Sequence, residues 1–401
     1  MTRTRRSTAN PQALTVLLTG GRAPVTLEYA RLFASAGHRV LVADSIAVHP
    51  CDGSRYVDAS FHIPSPNEDL AAFRDALVRI VSEHGVSLLL PTCEESFHVA
   101  RVRDAFPPGC RVFVDSIERL EPLHRKDSFV DMVAATGARM PRTRLATTRE
   151  QLREAIESRE PVVLKPVFSR FASRTLIRPK DPTCVDAISV SERYPWVIQE
   201  YLGHEQLCSF GVAIDGELRA HSCYATQYSA GQGATIYFRQ VPNVAVREWV
   251  AEFVRMRRFT GQIAFDFIRT EAGEYVPIEC NPRATSGLHL FAPGDGLERV
   301  FFGESSGILE PDPSRAAMIA FAMCAYGLPK ALVEGRLRAW WTDVRAARDV
   351  TFDWKDLGPF FLQFLLLGVL VFRALRHRTS LLEASTVDIE WNGERSEIAA
   401  G

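Results

Sequence analysis

Two apolar strand-like runs joined by one helical stretch set the first constraint on the fold. "LTVLLTGG", residues 14–21, is apolar and ends in a Gly20-Gly21 turn. "VTLEYARLFASAG", residues 25–37, repeats its apolar side chains at helical spacing and stops on a glycine, and "HRVLVADS", residues 38–45, is a second strand. Such a β-α-β unit joins parallel strands right-handedly. "DLAAFRDALVRIVSEHG" followed by "VSLLLPT" repeats the helix-strand pattern, and "CRVFVDS" adds another strand. Residues 12 to about 120 are therefore expected to form an open, mostly parallel sheet with helices on both faces.

The pattern then changes. "RKDSFVDMVAATGARMPRT" is a helix stopped by Gly137 with an extended exit at Met140-Pro141. A polar helix, "TTREQLREAIES", precedes the short strand "PVVLKP". From 195 to 280 strands dominate, and Asp215-Gly216 between "FGVAI" and "ELRAHS" is a strong hairpin signal. This part is expected to be antiparallel α+β. Beyond 310, "SRAAMIAFAMCAYG" and a long apolar run predict a closing helical region. The divisions that follow are 1–120, 121–200, 201–310 and 311–401.

With 401 residues the chain needs more than one core. A formal net charge of −1 gives no general attraction to nucleic acid, so no nucleic-acid partner is expected. The eight cysteines include no C-x-x-C pair, which argues against structural zinc and fits reduced thiols in a cytoplasm. The basic start, "MTRTRRSTANPQ", leads into a strand and reads as a frayed tail. "PFFLQFLLLGVLVF", residues 359–372, falls short of the roughly 20 residues of a spanning helix. It reads first as a buried or interface helix, and second as a contact with a membrane surface or an apolar partner; a homodimer stays open. Arg373, Arg376, His377 and Arg378 behind it suit either a helix C-terminus or anionic lipid heads.

The residues that carry chemistry lie near "YVPIECNPRATSG", residues 275–287. Strand alternation turns Glu279 and Asn281 the same way. A carboxylate beside an amide oxygen is a hard-oxygen pair suited to Mg²⁺. Asp266, in the preceding strand "GQIAFDFI", can face Glu279 across a hairpin, and two adjacent carboxylates repel unless a cation lies between them. Arg283 carries a planar fork that fits phosphate or carboxylate. Lys165 ends an apolar strand, and Lys126 opens a helix where backbone N–H groups favour an anion. "WVIQEYLGHEQ" ends a strand on Glu200, Tyr201 and Leu202, with Glu205 close behind.

In this order the elements resemble the ATP-grasp superfamily, in its carboxylate–amine ligase and carbamoyl-phosphate-synthetase-like branch. The resemblance covers roughly residues 14–300 and is most specific in "FDFI…YVPIECNPR". It implies a Rossmann-like pre-ATP-grasp domain over 1–120, a lid subdomain over 121–200 and a Mg-ATP-binding subdomain over 201–310, followed by a C-terminal region with an apolar helix. It makes Lys126 and Lys165 the ATP-phosphate lysines, Glu200 with the backbone of Tyr201 and Leu202 the adenine hinge, and Glu205 the ribose acid. Asp266, Glu279 and Asn281 become ligands of two Mg²⁺ ions, or Mn²⁺ in their place, and Arg283 steadies the transferred phosphoryl group. Lys165 and Arg283 are thereby the catalytic pair. One departure stands out: the loop "PVFSRFASRT", residues 166–175, contains no glycine. Ser169, Ser173, Arg170 and Arg174 would hold phosphate by side chains there. This loop and "YSAGQGAT", residues 228–235, are the expected lids.

The implied reaction joins a small-molecule carboxylate and an amine through an acyl phosphate, releasing ADP and phosphate. His221, Tyr224, Arg239 and His289 are candidates for substrate contacts, with packing as the alternative for each. Two other classes compete. A nucleotide-binding protein without ligase chemistry would suit the glycine-free loop. A dinucleotide-dependent oxidoreductase would use Asp44, at the end of the second strand, on ribose hydroxyls; its turn, "TGGRAPVTLE", lacks the G-x-G-x-x-G spacing.

Overall fold

The computed structural model describes residues 13–168, 174–203, 205–230 and 234–393. The first unit runs through β1 (Thr15–Thr19), α1 (Pro24–Ser35), β2 (Arg39–Asp44), β3 (Ala59–His62) and α2 (Leu70–His84). It continues through β4 (Leu88–Leu90), α3 (Glu95–Arg101) and β5 (Arg111–Val112). Its strands are parallel in the order β3-β2-β1-β4-β5. The central strands are apolar on both faces because helices cover both. Val16, Leu18, Val40 and Val42 pack against α1, whereas Leu17, Leu41 and Leu89 pack against Phe73, Leu77 and Ile80 of α2. The expected open parallel sheet is present, with one added edge strand, β3, whose "ASFH" alternates half-buried and exposed residues.

Next come α4 (Ile117–His124), α5 (Lys126–Ala134), β6 (Thr143–Ala146), α6 (Arg149–Glu157), β7 (Val162–Pro166), β8 (Leu176–Ile177) and β9 (Trp196–Glu200). The strands form an antiparallel sheet in the order β6-β9-β7-β8. Thr148 and Gln151 cap α6 reciprocally, and its Leu152 and Ala155 pack on Leu164, Trp196 and Ile198.

A second antiparallel sheet is built from β10 (Glu205–Ile214) and β11 (Glu217–Ala225). A two-strand ribbon, β12 (Ser229–Ala230) with β13 (Ala234–Thr235), and β14 (Tyr237–Arg239) follow. α7 (Val244–Arg257), β15 (Gly261–Arg269) and β16 (Tyr275–Asn281) complete it, in the order β11-β10-β15-β16. Asp215 and Gly216, at φ 51° and 84°, make the expected hairpin turn with both residues left-handed.

The remaining elements are α8 (Leu297–Val300), β17 (Ala316–Met318), α9 (Ala320–Ala322), α10 (Leu328–Val333), α11 (Leu337–Ala346), β18 (Arg348–Asp349), α12 (Gly358–His377) and α13 (Leu381–Ala384). Two expectations are corrected here. The stretch from 314, read as helical, opens with β17, which lies between β14 and β18 because its short apolar side chains fill the seam there. The apolar run at 359–372 is not a buried core helix. It belongs to a 20-residue helix, and only Pro359 and Leu366 are buried. An apolar run at helical spacing has apolar side chains all round, and one side alone finds a partner.

The C-terminal segment returns to the first unit. The Arg22 guanidinium, buried, lies between Asp44 and Asp388, with Nη2 donating to Asp388 Oδ2 at 2.9 Å. Arg31 donates to the carbonyls of Val350 and Thr351 at 2.8 and 2.9 Å and faces Asp356 at 3.3 Å. Gly358 and Gly53 bring their backbones into direct contact where α12 is seated. A Cβ on Gly358 would overlap the Gly53 carbonyl oxygen. Gly358→Ala should therefore cost about 1–3 kcal/mol, read as a lowered midpoint in thermal unfolding with earlier proteolytic cleavage around α12. An unchanged midpoint and cleavage pattern would show that the contact does not hold the helix.

Candidate functional site

The site begins on β15. Its odd-numbered residues, Phe265 and Phe267, pack on Trp249 of α7 with ring centroids 5.1 and 5.4 Å away. Alternation turns Asp266 to the opposite face. On β16, Glu279 pairs directly with Asp266, and Asn281 pairs with Ala264. A bulge follows Asp266, so Ile278 is the extra residue of the ladder. Its carbonyl oxygen accepts from Lys165 Nζ at 3.3 Å. The predicted face-to-face acids are thus in place, on a strand pair whose other face is anchored by aromatic packing.

Two buried lysines from other elements converge on Glu279. Lys126 opens α5, where the helix dipole disfavours a cation, and its Nζ lies 3.6 Å from Glu279 Oε1. Lys165, from the middle sheet, lies 4.0 Å from Oε2. Burial drops the Lys165 ammonium to about 8, opposed by the attraction of Glu279 and aided by the repulsion of Lys126. Although burial opposes it, the Glu279 carboxyl is held below its ordinary range by Lys126 and Lys165. Asp266 goes the other way: burial first, then the Glu279 charge, lift it to about 6.

Arg283 closes the cluster on the side of the parallel sheet. Its Nε donates to Glu94 at 3.2 Å and its Nη2 to Asn281 Oδ1 at 3.3 Å. Glu94 is buried just beyond β4, where ligand crevices form at the carboxyl ends of parallel strands. His124 Nε2 lies 3.8 Å from Glu94. Sequence reasoning passed over Glu94 and His124. The paired acids in "TCEESF", set after an apolar strand, were the available signal for Glu94; nothing local marks His124. A cavity of about 350 Å³ opens beside His124, walled by Phe168, Arg174, Trp196, Glu383 and Trp391 among others.

The residues expected at an adenine hinge gather at a different place. Tyr201, Leu202 and Glu205 line a cleft of about 470 Å³ with Arg178 and Arg269. The Tyr201 N–H is already donated to the Pro161 carbonyl at 3.0 Å. Glu200 accepts from the Arg142 N–H at 3.1 Å, and Glu205 is exposed and paired with Arg269 at 3.1 Å. Register connects hinge and cluster. Val162 pairs with Glu200 and Lys165 with Val197, so the lysine stands three residues along the strands from the hinge, about 10 Å. Ser169, Arg170 and Ser173 of the expected lid, and residues 231–233 of the second one, lie outside the described residues.

The four substrate-contact candidates have internal partners. His289 Nδ1 is 3.0 Å from Glu28, Arg239 binds Asp343 at 3.0 Å, His221 Nδ1 is 3.8 Å from Glu310, and the Tyr224 ring meets Phe238 edge-on. Asp44, the acid an oxidoreductase would need for ribose, is buried against Arg22 and accepts its N–H at 2.8 Å. Its carboxylate is committed within the fold.

The donor set suits a hard divalent cation: two facing carboxylates whose charges oppose one another, with an amide oxygen one alternation away. Mg²⁺ usually takes one or two carboxylates and completes its shell with water and phosphate oxygens. Among the described residues no group of three His, Cys, Asp or Glu forms a metal cage, so the remaining ligands would come from elsewhere.

This geometry yields a stability test. The folded pKa of Asp266, about 6, stands above the ordinary 3.8. The proton it holds favours the folded state below about pH 4, and that advantage is lost as pH rises through 6. Asp266→Asn should therefore stabilise the protein at pH 8, by up to about 3 kcal/mol, and leave it unchanged near pH 4. Thermal unfolding across pH checks this; equal midpoints at pH 8 would mean that neither burial nor Glu279 disfavours the ionised Asp266.

No protein-family model matches the sequence. Solved structures do match it in fold. N5-carboxyaminoimidazole synthase from Aspergillus clavatus, in complex with ADP and 5-aminoimidazole ribonucleotide, superposes with a TM-score of 0.58 at 13% identity, over 75% of this chain and 80% of that one. The biotin carboxylase domain of 2-oxoglutarate carboxylase from Hydrogenobacter thermophilus, with MgADP and bicarbonate, gives 0.53 at 15% identity over 69% and 65%. L-amino acid ligase from Bacillus licheniformis gives 0.50 at 14% identity, over 68% of each chain. With its parallel sheet and two four-stranded antiparallel sheets, the chain has the fold of these structures, the ATP-grasp fold.

Proposed function

We propose that the chain is an ATP-dependent carboxylate–amine ligase, forming an amide or peptide bond with release of ADP and phosphate. The observation that carries the reading is the convergence of Lys126 and Lys165, both buried, on Glu279, itself facing Asp266. The charges there balance: Lys126, Lys165 and Arg283 against Asp266, Glu279 and Glu94. A divalent cation added to that set leaves a positive excess, which a polyphosphate matches. The hinge cleft, about 10 Å along the strands, is the distance at which a nucleoside would sit from its phosphates. Asp44, by contrast, is taken up by the buried Arg22 that it shares with Asp388.

The chemistry follows from what a carboxylate lacks, a leaving group. A carboxylate oxygen of the substrate attacks the γ-phosphorus of ATP, the bond to the β-phosphate oxygen breaks, and ADP departs. The amine nitrogen then attacks the acyl-phosphate carbon, phosphate leaves with the bonding electron pair, and the amine proton passes to phosphate or water. Lys126 and Lys165 bind and neutralise phosphate oxygens, while Arg283, oriented by Glu94, faces the transferred group. Mg²⁺ held by Asp266, Glu279 and Asn281, as two ions or with Mn²⁺ in their place, would neutralise the phosphate oxygens when bound. Glu200, the Leu202 backbone and the Tyr201 carbonyl would face the base, and Glu205 the ribose once released from Arg269. The cavity beside His124 is where we place the second substrate.

Nucleotide product analysis tests the reading, with Mg-ATP and a pooled panel of carboxylates and amines. ADP and phosphate formed only when both substrates are present is the expected result, and Glu279→Gln should lower it by about 10²-fold or more. AMP and pyrophosphate would overturn the acyl-phosphate route. ATP binding with no turnover by any pair would favour the binding-only alternative. The Lys165 ammonium loses its proton near pH 8, so ATP affinity should fall as pH rises through 8 and do so less in Lys165→Arg. A flat profile from pH 7 to 9 would remove Lys165 from the phosphate site.

A further inference from the structure

α12 exposes an apolar stripe at regular helical spacing. Phe361, Phe364, Leu365, Gly368, Phe372 and Leu375 all face outward, with Leu375 75% exposed. The most apolar 18 residues of this helix have a mean hydropathy of 1.9, and 11% of them are buried. Its inner side is seated on the protein through Pro359, Leu366 and the Gly53–Gly358 contact. The stripe does not end with the helix. Phe364 meets Phe321 with ring centroids 6.3 Å apart, which joins it to the second apolar stretch, Ala320–Val333. That stretch presents Tyr326, Leu332 and Val333 to the outside, Val333 at 90%. Such a continuous patch is larger than scattered surface residues account for.

The surrounding charge says what covers it. Residues 320–380 carry nine Lys and Arg against five Asp and Glu, in a chain whose net charge is −1. Three of those acids turn inward: Asp343 accepts from Gln227 and Tyr228, Asp349 from the Ala320 N–H, and Asp356 from Ser54 and the Arg55 N–H. Arg336, Arg338, Arg345, Arg376 and Arg378 are exposed. Trp341 and Trp354, the latter 82% exposed, add amphipathic rings of the kind that settle at a lipid–water boundary.

We propose that this face docks on an anionic lipid surface, with α12 lying in the plane of the interface. Apolar side chains enter the acyl boundary while the arginines meet phosphate head groups. A second copy of the chain fits less well, because a two-fold contact would bring two positive rims together. Crossing the bilayer would require α12 to leave its seat on Gly53. This inference does not depend on the ligase reading.

Co-sedimentation of the full chain with vesicles tests it. The protein should pellet with vesicles of phosphatidylcholine and phosphatidylglycerol, and far less with phosphatidylcholine alone. Substituting Phe361, Leu365 and Phe372 by Ser, all outward-facing, should weaken binding at least tenfold while the thermal midpoint stays at the native value. Arg376→Glu with Arg378→Glu should abolish the preference for phosphatidylglycerol. Absence of pelleting with both vesicle types overturns the proposal, as does equal binding by the triple variant. So does a concentration-dependent dimer, seen by sedimentation velocity, that the triple variant abolishes without any change in vesicle binding.

Discussion

Two ammonium groups buried around one carboxylate organise this molecule. Lys126 belongs to a helix between the first and middle sheets, Lys165 to the middle sheet and Glu279 to the second antiparallel sheet. A lysine out of water is costly unless an anion stands beside it. The units on either side are therefore held in one relative placement by these buried charges. Arg283 extends the arrangement to the parallel sheet through Glu94. The opposing pKa directions of Glu279 and Asp266 follow from it: the acid nearest the lysines ionises readily, and its neighbour is raised by burial and by that charge. A divalent cation would relieve Asp266, so the strain of facing carboxylates and the proposed metal binding have one origin.

What was legible in the sequence is what alternation and periodicity encode. The β-α-β opening, the Asp215-Gly216 hairpin and the pairing of Asp266 with Glu279 all rest on local spacing, and the structure contains each. The bulge at Ile278 was not legible, since nothing in the local spacing marks the extra residue, whose carbonyl meets Lys165 of another sheet. Glu94 and His124 were missed for the same reason: a buried acid after a strand carries no mark of the arginine it meets across 189 positions. β17 was misread as helix because "AAMIAFAM" is apolar in every register, and only its neighbours β14 and β18 decide the matter.

The C-terminal segment shows how composition and placement come apart. Its apolar run has the makeup of a core helix, yet the core beneath it needs only one side. Arg22, Arg31 and Gly53 fix where that side rests. Everything opposite is then exposed by geometry rather than by sequence choice at each position. The same segment continues past α12 to Glu383, which holds Arg174 at 3.0 Å, and to Trp391, which walls the cavity beside His124. The outward stripe and the inner cavity wall are thus successive parts of one stretch of chain. Thr379, at the wall of that cavity, follows Leu375 of the stripe by one helical turn.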